Sequence, residues 1–251
     1  MPVLVPGLTG TLINTFTVIL GSLLGLVIGH RLSTLMQKTV LHGLGLVTLV
    51  VAMSNALTTR NILVPLFAVA GGAILGEWLQ LEERLEGLGR WLEARFGRRW
   101  GGAAPVEEGR IVRGFVTASL VFCVGPLTLI GSIQDGLVNN YQFLLLKAIL
   151  DGFASIAFAA SLGAGVLLSA FTVFFFQGGL ALTAMLFGGV LGGVTADHPA
   201  VIEMTATGGI VLLSIAFILL DIKRLRAASF LPAVFLAPLF VILLQRLGMR
   251  L

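Results

Sequence analysis

The chain has 251 residues, of which 57% are apolar and 11% charged, with 16 basic and 12 acidic side chains and a formal net charge of +4. Soluble domains carry about one quarter charged residues, and no single aqueous core encloses this much apolar surface, so a purely water-soluble protein is excluded. The mean hydropathy of +1.03 names lipid as the solvent, and the basic residues gather in loops as a topology signal, so nucleic acid is not an expected partner.

Hydrocarbon offers the backbone no water, so a spanning segment is a helix or part of a closed barrel. The apolar runs are about 20 residues long, which is helix length. The expected fold class is therefore all-α: a polytopic transmembrane helix bundle of about eight spans, at 11–30, 39–58, 61–79, 112–133, 143–162, 164–191, 200–220 and 229–245. Met1 to Gly10 lacks the basic stretch and cleavage pattern of a signal peptide, so Leu12 to Gly29 reads as a retained first span.

After the third span, Trp78 to Phe96 is amphipathic rather than spanning. Leu81, Leu85, Leu88 and Leu92 repeat at helical spacing opposite Glu82, Glu83, Glu86, Arg90 and Glu93. It reads either as a helix on the membrane surface or against a partner, or as a solvated extension of the third span. The stretch 97–109, with Gly101, Gly102 and Pro105, is a linker that divides a three-span front part (1–100) from a five-span rear part (110–251) within one integrated membrane domain.

Twelve of the sixteen basic residues fall in the connections after spans one, three and seven: Arg31 and Lys38; Arg84, Arg90, Arg95, Arg98, Arg99, Arg110 and Arg113; Lys223, Arg224 and Arg226. Eight crossings put all three connections on one side, which the positive-inside tendency names as cytoplasm. The expected location is the bacterial cytoplasmic (inner) membrane, with several passes. Gly45 to Gly76 also lies without a gap beside Gly209 to Phe240, matching Gly45 with Gly209 and Ala52 with Ala216. Because the two hairpins would run in opposite directions, an inverted internal repeat is one expectation.

Function is sought among polar groups that lipid penalises, since a charge near mid-bilayer costs about 2.5–3.5 kcal/mol on insertion scales. Lys147 and Asp151 stand four apart on one helix face, either as a structural ion pair or as a cation or proton site at Asp151 with Lys147 as a competing internal cation. Gly125-Pro126, followed by Gly131-Ser-Ile-Gln134-Asp135-Gly136, suggests a broken helix with carbonyls freed beside Gln134 and Asp135. Gln177 precedes paired glycines, and Glu203, Thr205 and Thr207 open the seventh span. Asn14 lies in the first span. Gln177 and Asn14 can serve a ligand or only helix packing, Glu203 a ligand or only the water boundary, and Asp135 a ligand or only an outer loop after a kinked helix. Cys123 is a small core residue, and His30, His42 and His198 are too scattered for a metal cluster. Soluble-enzyme motifs are missing, so no enzymatic activity is expected.

Several motifs carry a family resemblance. They include Gly10-Thr-Leu-Ile-Asn14, Gly71-Gly-Ala-Ile-Leu-Gly76-Glu77, Gly114-Phe-Val-Thr-Ala-Ser119, Phe122-Cys123-Val-Gly125, Gly131 to Gly136, Lys147 with Asp151-Gly152, and Glu203 to Gly209. Together they resemble the YqgA-like bacterial inner-membrane proteins of unknown function, the DUF 554 family. The resemblance implies a polytopic cytoplasmic-membrane protein, and a label of sodium channel or pump travels with the family.

The function expected is a secondary transporter or ion-conducting protein for a small solute or cation, sodium or proton included. Its lining would be Asp151, Gln134, Asp135, Gln177 and Glu203, with Thr205, Thr207 and Asn14 behind them. Beyond a bound sodium ion no cofactor is implied. The alternative is a non-transporting scaffold or regulator acting through the amphipathic helix. Small-residue motifs such as Gly21-Ser-Leu-Leu-Gly25 and Gly163-Ala-Gly165 suit homo-oligomerisation or packing within one chain.

Overall fold

The computed structural model of the chain describes residues 5–100, 110–186 and 197–246, and among the described residues every regular element is a helix. In chain order they are α1 (Thr9–Gly29), α2 (Thr34–Ala56), α3 (Leu63–Trp78), α4 (Leu81–Trp100), α5 (Arg110–Cys123), α6 (Pro126–Val138), α7 (Gln142–Leu162), α8 (Gly165–Leu186), α9 (Pro199–Leu219), a 3₁₀ turn (Ala227–Phe230) and α10 (Leu231–Arg246). Among the described residues six segments are long and apolar enough to cross a membrane alone. Two bent pairs, α3 with α4 and α5 with α6, raise the number to eight if each counts as one span. The all-helical bundle with broken helices read from the apolar runs is the fold observed. The last residues of the expected sixth span and linker residues 101–109 lie outside the described residues.

Both bends have local causes. Between α3 and α4 the chain turns at Leu79 and Gln80, and Gln80 sits in the left-handed region at φ 52, giving a bend of 54°. Between α5 and α6, the ring nitrogen of Pro126 cannot donate to the carbonyl of Phe122 one turn back. The axis turns by 62°, and the Thr128 hydroxyl donates to that carbonyl at 3.1 Å. The carbonyl freed by Gly-Pro is thus taken inside the protein.

The chain forms two compact units from interleaved segments. The first comprises 1–44, 85–123 and 127–192, and the second 45–84, 124–126 and 193–251. In the first unit α1 lies on α7. Gly21, Gly25 and Gly29 recur every four residues, so they share one face. A Cβ at Gly21 would strike Ser155 Oγ and the Gly152 carbonyl, one at Gly25 the Ile156 carbonyl, and one at Gly29 would come within 2.7 Å of the Ala160 carbonyl. Close backbone approach is how helices associate where lipid removes the hydrophobic drive, and these glycines provide it within one chain. Gly165 plays the same part against the Ile111 carbonyl, bringing α8 onto α5. Both small-residue motifs are therefore engaged inside this unit. Here α4 docks through Leu85 on the cluster of Ile111, Phe115 and Leu168, while Leu88 and Trp91 stay exposed.

The second unit contains the two hairpins that align in sequence. Val64, Ala68, Ala237, Val241 and Leu244 form its core. The Arg226 guanidinium pairs with Glu77 at 2.9 Å and with Glu83. Its own backbone N–H, and then Arg226, hold the Glu83 carboxyl below its ordinary value. The inter-hairpin contacts are reciprocal. A Cβ at Gly45 would meet Leu220, at 2.8 Å, and Leu219, at 3.1 Å, while one at Gly209 would meet Ala52, Asn55 and Ala56. In the gapless alignment Gly45 pairs with Gly209, Asn55 with Leu219 and Ala56 with Leu220. Each hairpin thus touches the other through equivalent positions on antiparallel helices, the pattern that a twofold axis across the helices produces.

Candidate functional site

The inward face of α1 carries Thr11, Asn14, Val18, Gly21, Ser22 and Gly25 at helical spacing, all buried. Midway along α7, Lys147 Nζ lies 2.6 Å from Asp151 Oδ2, and both side chains are at least nine-tenths buried. Asn14 Nδ2 donates to the same oxygen at 3.0 Å. Spacing of four sets the pair on one face, and burial without a counter-charge would cost each ion several kcal/mol. Asp151 is therefore a neutralised and clamped carboxylate, at depth but not free.

Asp135 differs. On α6 it is fully buried, and its Oδ2 accepts from the Gly10 N–H at 2.8 Å. Gly10 lies in the first turn of α1, where helix N–H groups lack intrahelical partners and the dipole presents its positive end. Nearby, Asn139 Oδ1 accepts from the Gly7 N–H at 2.7 Å and ties the start of α1 to the end of α6. One residue beyond Asp135, a Cβ at Gly136 would strike the Ala181 carbonyl, so α6 and α8 touch closely there. One turn back along α8, Gly178 faces Leu8 and Thr11, with Cβ contacts of 3.7 and 3.8 Å. This brings Gln177, fully buried beside Gly178, to the same end of α1.

Within this region five buried side chains hold polar atoms with no hydrogen-bond partner among the described residues. These are Thr11 Oγ1, Asn14 Oδ1, Ser132 Oγ, Asp135 Oδ1 and both amide atoms of Gln177. They come from α1, α6 and α8 of the first unit. A buried polar atom left unpaired costs about 1–3 kcal/mol, and most native ones are paired, so such a concentration calls for something polar to bind. Their chemistry is hydroxyl, amide and carboxylate oxygen, a hard donor set suited to a small cation or a polar solute. No group of three or more His, Cys, Asp and Glu is placed to hold a metal ion among the described residues.

The remaining expected residues are placed otherwise. Gln134 is half-buried and already engaged. Thr205 Oγ1 donates to the Val201 carbonyl of its own helix at 2.8 Å. Thr207 is buried with Oγ1 unpartnered, in the second unit. Glu203, 1% exposed, belongs to that unit as well. Its carboxylate accepts from Thr59 Oγ1 and the Arg60 N–H, each at 2.7 Å, and from the Asn61 N–H at 3.2 Å. It is an anchor for the turn between α2 and α3. Thr11 and Ser132 are not among the expected site residues, although both fall within motifs that carry the family resemblance. Each lies three residues before an expected one (Asn14 and Asp135), and that spacing is the available signal.

The family described as "Protein of unknown function (DUF554)" matches residues 9–242. The chain is 26% identical to the uncharacterised membrane protein YdfK of Bacillus subtilis over 246 residues, covering 96% of this chain and 99% of the relative. It is 27% identical to the uncharacterised protein YqgA of Escherichia coli over 228 residues, covering 91% and 94%. No solved structure matches the chain.

Proposed function

We propose, for a chain that belongs to the DUF554 family and is a membrane protein of several spans, a role as secondary transporter or ion-conducting protein for a small cation or small polar solute in the bacterial cytoplasmic membrane. One observation supports this reading above the others: the set of unpartnered polar atoms on Thr11, Asn14, Ser132, Asp135 and Gln177. In hydrocarbon such groups persist where a hydrated interior or a bound ion satisfies them. Asp135 is the carboxyl member. Asp151 has Lys147 and Asn14 as partners, so the role of ion-binding carboxylate passes to Asp135. Sodium and the proton are the first ions to test, because a carboxylate binds either, and Asp135 Oδ1 has no hydrogen-bond partner among the described residues.

The test is flux into vesicles containing the purified protein, measured for sodium, protons and small polar solutes. Asp135→Asn should abolish or strongly reduce the flux found for the wild type. Gln177→Leu is the sharper variant. Removing an unpaired buried amide should leave the fold as stable or more stable, yet depress flux if the amide faces the permeating species. A wild type with no flux for any of these species, or a Gln177→Leu protein with full flux, sinks the proposal. The alternative, a scaffold working through α4, draws on Leu88 and Trp91, which remain exposed after α4 docks on α5. It predicts that Gln177→Leu changes nothing, while substitutions at Leu88 and Trp91 abolish partner binding.

A further inference from the structure

At the other end of the first unit, three chain segments rich in polar termini converge. Arg110 opens α5 and reaches between the start of α2 and the end of α7. Its Nη2 donates to Gln37 Oε1 at 2.8 Å and to the Ser161 carbonyl at 3.0 Å. Neither acceptor carries a charge, and Arg110 has no acidic partner among the described residues. Among the described residues the guanidinium is thus held by neutral acceptors alone, and it has further N–H groups, since arginine offers five. Beside it lies an open cleft of about 110 Å³, lined among others by Leu26, His30, Gln37, Arg110, Ala160 and Gly163. The floor of the cleft is the turn into α8. Gly163, at φ 83, turns the chain so that Gly165 begins the helix.

We infer that this cleft binds an anionic phosphate group, with Arg110 as its principal ligand. The shared chemistry is that of a phosphate oxyanion. Its oxygens match the planar fork of arginine, and the cleft has room for several waters' worth of volume, enough for a tetrahedral group. Two sources supply such a group at a membrane surface: the headgroup of an anionic phospholipid, and free phosphate or a phosphorylated solute. Basic pockets between helices near one membrane face suit the first. The inference is independent of the transport reading, because it uses neither Asp135 nor Gln177.

The experiment uses the full chain in nanodiscs of phosphatidylcholine, whose choline masks its phosphate. Phosphatidylglycerol is titrated in one arm and inorganic phosphate in the other, and binding is read by thermal stabilisation and by lipid retention in native mass spectrometry. Stabilisation by phosphatidylglycerol alone assigns the cleft to a lipid headgroup, and stabilisation by inorganic phosphate alone assigns it to a soluble phosphate. Arg110→Gln should weaken binding roughly tenfold or more, as expected for loss of a charged hydrogen-bond donor. Since that variant also loses the contacts to Gln37 and Ser161, His30→Glu is the second. His30 is exposed at the rim, and a carboxylate there opposes the anion without disturbing those bonds. Arg31→Gln, an exposed basic residue outside the cleft, should bind as the wild type does. The inference is overturned if neither phosphate source stabilises the protein, or if His30→Glu binds as tightly as the wild type.

Discussion

Asp151 and Asp135 are both buried carboxylates in an apolar chain, and their partners separate them. Lys147 and Asp151 cancel each other's charge, so loss of one partner leaves the other ion unpaired at depth. Asp151→Asn alone and Lys147→Met alone should each destabilise the protein by about 3–5 kcal/mol, whereas the double substitution removes both ions and should recover most of that loss. Reversible unfolding in detergent checks this, and additive single effects would show that the pair is not coupled. The spacing of Lys147 and Asp151 made the pair legible from sequence, because four residues on a helix is a contact. The setting of Asp135 was not legible. Its partner is the Gly10 N–H, 125 positions away, and a backbone donor leaves no trace in side-chain identity. Glu203 shows the same blindness: two of its three donors are the Arg60 and Asn61 backbone N–H groups.

Among the elements, the apolar helices and their approximate extents followed from run lengths because lipid enforces them, although α2 starts at Thr34, before the expected 39, and α6 runs to Val138, beyond the expected 133. The break in the fourth span followed from Pro126, which cannot donate to the preceding turn. What the pattern left open was the destination of the small residues, since glycine stripes serve either self-association or internal packing. The contacts of α1 with α7 settle that for Gly21 and Gly25, whose absent side chains admit the Gly152, Ser155 and Ile156 atoms of α7. Gly21→Val should therefore overpack this contact and cost about 1–3 kcal/mol or more, since the obstructing atoms include backbone that cannot rotate away. Gly43 is the matched control. It lies within α2, and a Cβ added there would have nothing within 4 Å, so Gly43→Ala should be neutral or stabilise by about 0.5–1 kcal/mol. Thermal midpoints of the two variants in one detergent decide the matter. Equal midpoints would mean that α1 and α7 do not approach closely enough to exclude a side chain.

At the scale of the whole chain, the question is orientation. Inside the second unit, the contacts of Gly45 with Leu219 and Leu220, mirrored by those of Gly209 with Asn55 and Ala56, require α2 and α9 to run antiparallel. The turn at 57–62 of one hairpin and the turn at 220–226 of the other then lie at opposite ends of that unit. The loop charges agree independently: the first turn holds a single basic residue, Arg60, and the second holds Lys223, Arg224 and Arg226. Cysteine reporters placed singly in a Cys123→Ala background test both lines together. Thr58 and Arg224 are exposed in their turns, and a membrane-impermeant thiol reagent applied to intact cells should label Thr58→Cys and spare Arg224→Cys until the membrane is permeabilised. Gln142→Cys, at the start of α7, should behave like Thr58→Cys, and Arg31→Cys like Arg224→Cys, if eight crossings place the basic loops together. Labelling of Thr58→Cys and Arg224→Cys from the same side would contradict the inverted arrangement. The twofold relation between the two hairpins would then lose its basis, although the polar groups around Asp135 in the first unit would still require a partner.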